Sequence, residues 1–317
     1  MLSIKEKEIC VMLSDISDIR NLESVLFPLP VAKARKTVPF MPREYITHEV
    51  SLRLLKRLLG DDVFNRAKRI YFGHETCARA FPSGDIDEAV SIVSSKGKDI
   101  SLVVPYVGER DIKKIFPAIE KFAELNPNGE IIVNDFGIIN FILEKNIPVK
   151  IVLGRLLSRT KRDPRFGKKM PEDKEMIKDA KKVVKKSASE LSETGYSFAP
   201  FREFLKNLSI SRAGIDALPQ GVSLPKAGDM EFDLYWPWVY VTSGRSCQLL
   251  GIKDSRKGKY PLEAPCDMKC KQFEMEPQGT GIHYSVQKGN AVWMEVLKPG
   301  KIKGGFSRFV YEPVIPA

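Results

Sequence analysis

The strongest constraint on the fold is a rhythm. Short apolar runs at 9–13, 69–72, 100–104, 130–134, 149–153 and 208–211 alternate with segments of helical periodicity. Runs this short and rich in Ile and Val read as buried strands. Between them, Asp85 and Glu88 have the spacing of a capping box, with Ala89, Ile92 and Val93 on one stripe behind it, so a helix is expected to run to about Lys96. Ile112, Ile115, Phe116, Ile119, Phe122 and Leu125 recur at spacings of three and four, and Asn126-Pro127-Asn128-Gly129 stops that helix. Asp135 is placed to cap a third, which carries Ile138, Ile139, Phe141, Ile142 and Leu143.

Repeated strand-helix-strand units imply parallel strands joined by right-handed crossovers. Such a sheet either closes into a barrel or stays open and doubly wound. The Gly-x-Gly-x-x-Gly turn of an open dinucleotide-binding sheet is missing from the sequence, as is the phosphate-binding Walker A pattern. The expectation is therefore an α/β chain with a TIM-barrel-like (β/α) barrel, forming one domain over 1–317. Within it, 1–66 is read as an N-terminal extension with the first barrel units and 158–195 as a basic insertion. From 236 to 317 the chain turns to aromatics, turns and cysteines, a C-terminal appendage in which 291–297 has strand character.

No apolar stretch approaches the roughly 20 residues that span a bilayer, and the opening Lys5-Glu6-Lys7-Glu8 is charged where a signal peptide is apolar. A cytoplasmic protein without a membrane span is expected. In that reducing compartment cysteines are buried, catalytic or metal-bound, and an odd total of five argues against a complete disulfide framework. The formal charge of +11 is concentrated: residues 155–186 hold thirteen Lys or Arg against five Asp or Glu. That excess suits an anionic partner, RNA or a small carboxylate, although a solvated helix face has the same composition.

Cys266 and Cys270 are four apart, so one helical turn sets their thiols about 6 Å from each other. Cys247 precedes them by eighteen intervening residues, and Cys77 follows an upstream strand. Four thiolates ligate either a tetrahedral zinc ion or a [4Fe-4S] cluster. Structural zinc favours two Cys-x-x-Cys pairs, whereas this chain offers one Cys-x-x-x-Cys and two single cysteines. Ordinary buried thiols are the remaining alternative, and Cys10, inside an apolar run, is read that way.

Four segments carry a family likeness: Gly73-His74-Glu75-Thr76-Cys77-Ala78-Arg79 after a strand, Val133-Asn134-Asp135-Phe136-Gly137, Leu153-Gly154-Arg155-Leu156-Leu157, and Thr242-Ser243-Gly244-Arg245-Ser246-Cys247 with the later Cys-x-x-x-Cys. In order and spacing they resemble peptidase family U32. Cys77 is similar to the early cysteine of the members that act in oxygen-independent ubiquinone synthesis. The resemblance implies a barrel, a [4Fe-4S] cluster on Cys77, Cys247, Cys266 and Cys270, and hydroxylation without molecular oxygen. Related members hydroxylate RNA bases. A protein partner or electron donor is a further expectation for a chain that holds such a cluster.

The family name also raises a peptidase, but His74-Glu75-Thr76-Cys77-Ala78 has Ala78 where a zinc protease needs its second histidine. Only His48, His74 and His283 are available as bases, and no Gly-x-Ser-x-Gly elbow occurs. A third class is a non-catalytic RNA-binding protein with a structural cluster or zinc site. In that class Tyr235, Trp236, Trp238 and Tyr240 stack on bases, whereas in an enzyme they shield the metal from water. Asn134 and Asp135, at the carboxyl end of a strand, are catalytic candidates, with a plain helix cap as the alternative. Arg155 and Arg245 are candidates to clamp a carboxylate or phosphate, or to form structural ion pairs.

Overall fold

The computed structural model describes residues 4–26, 43–158, 160–162, 190–225, 228, 230–245, 247, 250, 266–276 and 285–316. Eight parallel strands close a barrel in chain order. They are β1 (Glu8–Leu13), β2 (Ala67–Gly73), β3 (Asp99–Val104), β4 (Glu130–Val133), β5 (Lys150–Leu153), β6 (Arg212–Asp216), β7 (Glu231–Trp236) and β8 (Arg308–Tyr311). The last strand lies between β7 and β1, pairing Arg308 with Asp233 and with Glu8. Segment 236–317 is thus more than an appendage, because it supplies the strand that completes the barrel.

Alternation along each strand produces two separate cores. Ile9, Val11, Leu13, Ile70, Phe72, Leu102, Ile131 and Val133 face outward and pack beneath the helices. Inside the barrel, Cys10, Met12, Tyr71, Val103, Ile132, Val152, Tyr235 and Val310 form an apolar middle layer. Below that layer, at the amino ends of the strands, charged side chains pair across the bore. Arg308 donates to both oxygens of Glu130 at 2.7 and 3.0 Å, and Arg308 and Arg69 donate to Glu8 at 3.0 and 2.9 Å. Asp233 accepts from Tyr71 Oη and Arg212 Nη1, each at 2.7 Å. These partners come from different strands, so the layer locks the barrel's closure while satisfying groups that burial would otherwise penalise.

Three outer helices match the periodicity. Ile86–Ser95 buries Ile86, Ala89 and Val93, although Asp85, its N-cap residue, makes no side-chain cap bond. Ile112–Leu125 buries Ile115, Ile119 and Phe122, and its Phe116 stacks on Phe141 of Phe136–Glu144 with centroids 3.6 Å apart. Asp135 does cap this last helix, accepting from Gly137 N at 2.6 Å. The run at 208–211 is not a strand: Leu208 caps the helix Ala199–Asn207, Ser209 turns at φ +58°, and the strand starts at Arg212. Its Leu208 and Ile210 are apolar because they pack under the helix end.

Beyond the barrel, Trp238–Ser243, Ser285–Lys288 and Ala291–Glu295 form a three-stranded antiparallel sheet, its last strand falling where a strand was expected. Among the described residues no helix is long and apolar enough to cross a membrane.

Candidate functional site

The carboxyl ends of the strands carry a set of polar groups, of which the sequence singled out Asn134, Asp135 and Arg155. Glu75 follows β2, Asn134 and Asp135 follow β4, Arg155 follows β5, Asp216 ends β6 and Glu312 follows β8. Glycines make the room. A Cβ on Gly154 would stand 2.0 Å from Asn134 Oδ1, and one on Gly214 would meet the Tyr235 ring at 2.9 Å and Arg155 N at 3.0 Å.

Arg155 is wholly buried in this mouth. Its Nε donates to both oxygens of Glu75 at 3.1 and 3.0 Å, and its Nη1 donates to Asp216, Glu312 and the Trp238 carbonyl at 3.0, 3.1 and 2.8 Å. Nη2 completes the fork with Glu75 and Glu312. The guanidinium lies over the Tyr235 ring at 4.3 Å and the Trp293 ring at 4.9 Å. Every donor is committed, so of the two sequence readings the internal ion pair describes this residue. Arg162 adds a second cation on Asp216, and its own guanidinium lies 5.2 Å from the Tyr240 ring. Burial pushes the carboxyls of Glu75 and Glu312 upward, with Arg155 pulling against it. Tyr235, Trp236 and Trp238 are buried, the first over Arg155 and Trp236 against Phe309 and Tyr311, which puts their rings out of reach of a base.

Asn134 is buried and fixed at both ends of its amide, which donates to Val104 O at 3.2 Å and accepts from Leu156 N at 3.3 Å. It ties the ends of β3 and β5 together. Asp135 uses one oxygen as the helix cap and the other to accept from Val107 N at 3.1 Å. In that position it lines a cleft of about 510 Å³ together with Cys77, Tyr106, Arg245, Cys247 and Asn290. Arg245 is exposed at the rim. Asn290, in the turn of the antiparallel sheet, donates to Thr76 O at 2.7 Å, Gly244 O at 2.9 Å and Tyr106 Oη at 3.1 Å, tying that sheet to the residue before Cys77.

The five cysteines divide into two sets. Cys10 is in the bore with Tyr71 and Val103, where burial and the charges of Asp233 and Glu8 raise its pKa. Of the other four, Cys77 and Cys270 feel their neighbours. Burial raises the Cys77 thiol, with Cys266 and Cys247 adding to the effect, and burial pushes Cys270 up to about 11 with Cys77, Cys266 and Cys247 contributing. Three separate chain segments thus bring these thiols within electrostatic reach. Cys266 and Cys270 do not share a regular helical turn, because Met268 between them is left-handed at φ +55° and only Lys269–Lys271 forms a tight turn.

Among the described residues no three His, Cys, Asp or Glu side chains are drawn tightly enough to hold a metal ion as they stand. Coulombic influence reaches further than a metal-ligand bond, and protonated thiols have nothing to contract around, since ligation itself removes the protons and closes the site. The surroundings suit a metal-thiolate group. All four donors are thiols, and two buried polar atoms near Cys77, Thr76 Oγ1 and His74 Nδ1, have no partner among the described residues. Burial takes His74 down to about 3, helped by Lys271, Lys288 and Lys114 and opposed by Asp15.

His48 and His74 are both buried, and His283 and residues 163–189, which hold most of the basic segment, lie outside the described residues. Sequence reasoning missed Glu75, Asp216 and Glu312 as partners of Arg155; Glu75 stood inside a quoted motif, but nothing in its spacing pointed to Arg155. Comparison with protein-family models, with curated proteins and with solved structures finds no match to this chain.

Proposed function

We propose that this chain is an iron-sulfur enzyme with a [4Fe-4S] cluster held by Cys77, Cys247, Cys266 and Cys270 beside the cleft at the barrel's carboxyl mouth. The observation that carries the reading is the gathering of those four thiols from three segments far apart in sequence, with Cys77 and Cys247 lining one cleft and both, with Cys266, bearing on Cys270, while Cys10 is set apart in the bore. Zinc would take the same donors, but structural zinc favours two close Cys-x-x-Cys pairs, and Cys77 and Cys247 each stand alone in the sequence.

When bound, the cluster supplies one-electron transfer at the cleft, in keeping with the hydroxylation without molecular oxygen that the family resemblance implies. The chain's own residues have separable tasks. Arg245 at the rim attracts an anionic substrate, a carboxylate or an RNA phosphate, and Asp135 holds the loop that forms the cleft wall. The Arg155 network fixes Glu75, two residues before Cys77, and so sets the path of the ligand loop.

Anaerobic purification followed by absorption spectroscopy and iron and sulfide analysis tests the assignment. A brown protein with about four irons and four sulfides per chain is the expected result. Stoichiometric zinc without sulfide after anaerobic reconstitution overturns it.

A further inference from the structure

The loop that leaves Cys77 is organised by a lysine from another element. Cys77 Sγ accepts hydrogen bonds from the backbone N–H groups of Arg79 and Ala80. Those N–H groups belong to the Ala78-Arg79 and Arg79-Ala80 peptides, and in a planar trans peptide the carbonyl points away from the N–H. The two carbonyls on the far side, Ala78 O and Arg79 O, both accept from Lys114 Nζ, at 3.4 and 2.9 Å. Lys114 lies in the first turn of Ile112–Leu125. The other two lysines that bear on His74 are bonded differently, Lys271 to Asp15 and Lys288 to Glu44. Lys114 thus stands behind the same two peptides that face the sulfur.

We propose that Lys114 is a positioning residue for the metal-thiolate centre: it holds two peptide planes so that their N–H dipoles point at Cys77 Sγ, and adds its positive charge behind them. The inference rests on the metal-thiolate reading of the four cysteines. Hydrogen bonds to a ligand sulfur and nearby positive charge both favour the more negative, reduced state of a cluster and strengthen its retention. Burial lowers the pKa of Lys114, and the charges of Cys77 and Cys266 act against that lowering, so the lysine also feels these thiols directly.

The test uses the full chain, anaerobically reconstituted, as wild type, Lys114→Met, Lys114→Gln and Lys114→Arg, with two readouts. One is the midpoint potential, and the other is the rate of metal loss to an added chelator. Both uncharged variants are expected to lower the reduced-to-oxidised ratio at a fixed potential about tenfold, equivalent to about 59 mV for a one-electron couple. They should also lose metal several-fold faster. Lys114→Arg, which keeps a charged donor for both carbonyls, should stay near wild type; a residue that merely braces the helix would not sort its variants by charge. Gln covers the case in which Met does not fold. Variants that load normally and match wild type in both readouts overturn the role of Lys114 and leave the cluster reading standing. Wild type that takes up only zinc overturns the cluster reading, and metal loss then decides Lys114 alone. Wild type that binds neither metal overturns both.

Discussion

Arg155 Nη1 donates to Glu312 Oε2 at 3.1 Å although 157 residues separate them, and the pair links the carboxyl ends of β5 and β8 across the barrel's mouth. Through the same guanidinium, Glu75 after β2 and Asp216 at the end of β6 join the pair, so one planar cation ties four strand ends together. Counting charges, Glu75, Asp216 and Glu312 face Arg155 and Arg162, an excess of carboxylates that adds to burial in driving Glu75 and Glu312 upward.

Removing the cation should be severe. Arg155→Met strands buried carboxylates without a partner, and breaking a buried ion pair from one side costs about 3–5 kcal/mol. Arg155→Lys should recover little, because an ammonium cannot reproduce the fork that serves three carboxylates and a carbonyl. Urea unfolding followed by circular dichroism measures both. A midpoint unchanged in Arg155→Met would show that the network contributes nothing to stability.

Gly154 and Asn134 form a second coupled pair. A methyl at Gly154 would stand 2.0 Å from Asn134 Oδ1 and displace the amide from Leu156 N and Val104 O. Gly154→Ala is therefore expected to cost at least about 2 kcal/mol, and Asn134→Ala about 1–3 kcal/mol for the backbone groups left unpaired. The double variant should cost clearly less than the sum, since truncating the Asn134 side chain vacates the space that a methyl on Gly154 needs. Additive costs in a double-mutant cycle would mean that the two residues do not compete for that space.

The barrel could be read from strands whose outward residues are apolar and regularly spaced, which is why β1 through β5 stand out in the sequence. The two strands that complete it could not. β7 carries Asp233 and β8 begins with Arg308, inward-facing charges that interrupt an apolar pattern and are satisfied only by distant partners, Glu130 lying 178 residues from Arg308. The stretch at 208–211 misled for the opposite reason, being apolar because it packs under a helix end. At the mouth, the four cysteines declared themselves by residue type. The committed state of Arg155 and Asn134 did not, because spacing along the chain does not record which acceptors the fold brings to them.

Stability should fall in mild acid through the buried His48. Burial, the largest influence on His48, takes its pKa from 6.5 down to about 4, against a hydrogen bond to the Val25 backbone that raises it. Below pH 6.5 the unfolded chain binds a proton there that the native chain refuses until about pH 4. The contribution is thus complete above pH 6.5 and lost progressively as pH falls across that window. His74, taken down to about 3, acts with the same sign. His48→Gln should make the slope of unfolding free energy against pH shallower by about one proton near pH 5, about 3 kcal/mol when integrated over the window. Urea titrations of both proteins at pH 7, 6 and 5 give the two slopes. Parallel slopes would remove His48 from the acid response.

Substitution of the cysteines one at a time separates the two sets that the fold creates. Cys77→Ala, Cys247→Ala, Cys266→Ala and Cys270→Ala should each impair retention of the cluster, because losing one of four thiolates opens the coordination of one iron. Cys10→Ala should leave retention unchanged, since its sulfur is sealed in the bore among Met12, Tyr71 and Val310, and its cost should be confined to packing, about 1 kcal/mol. The visible absorption of anaerobically prepared variants, normalised to protein, is the readout, with iron content beside it. If Cys10→Ala alone lost the absorption, or Cys77→Ala kept it in full, the thiols gathered at the mouth would not be the ligands. The family of four would then have to be read as buried thiols brought together by the fold without a metal to hold.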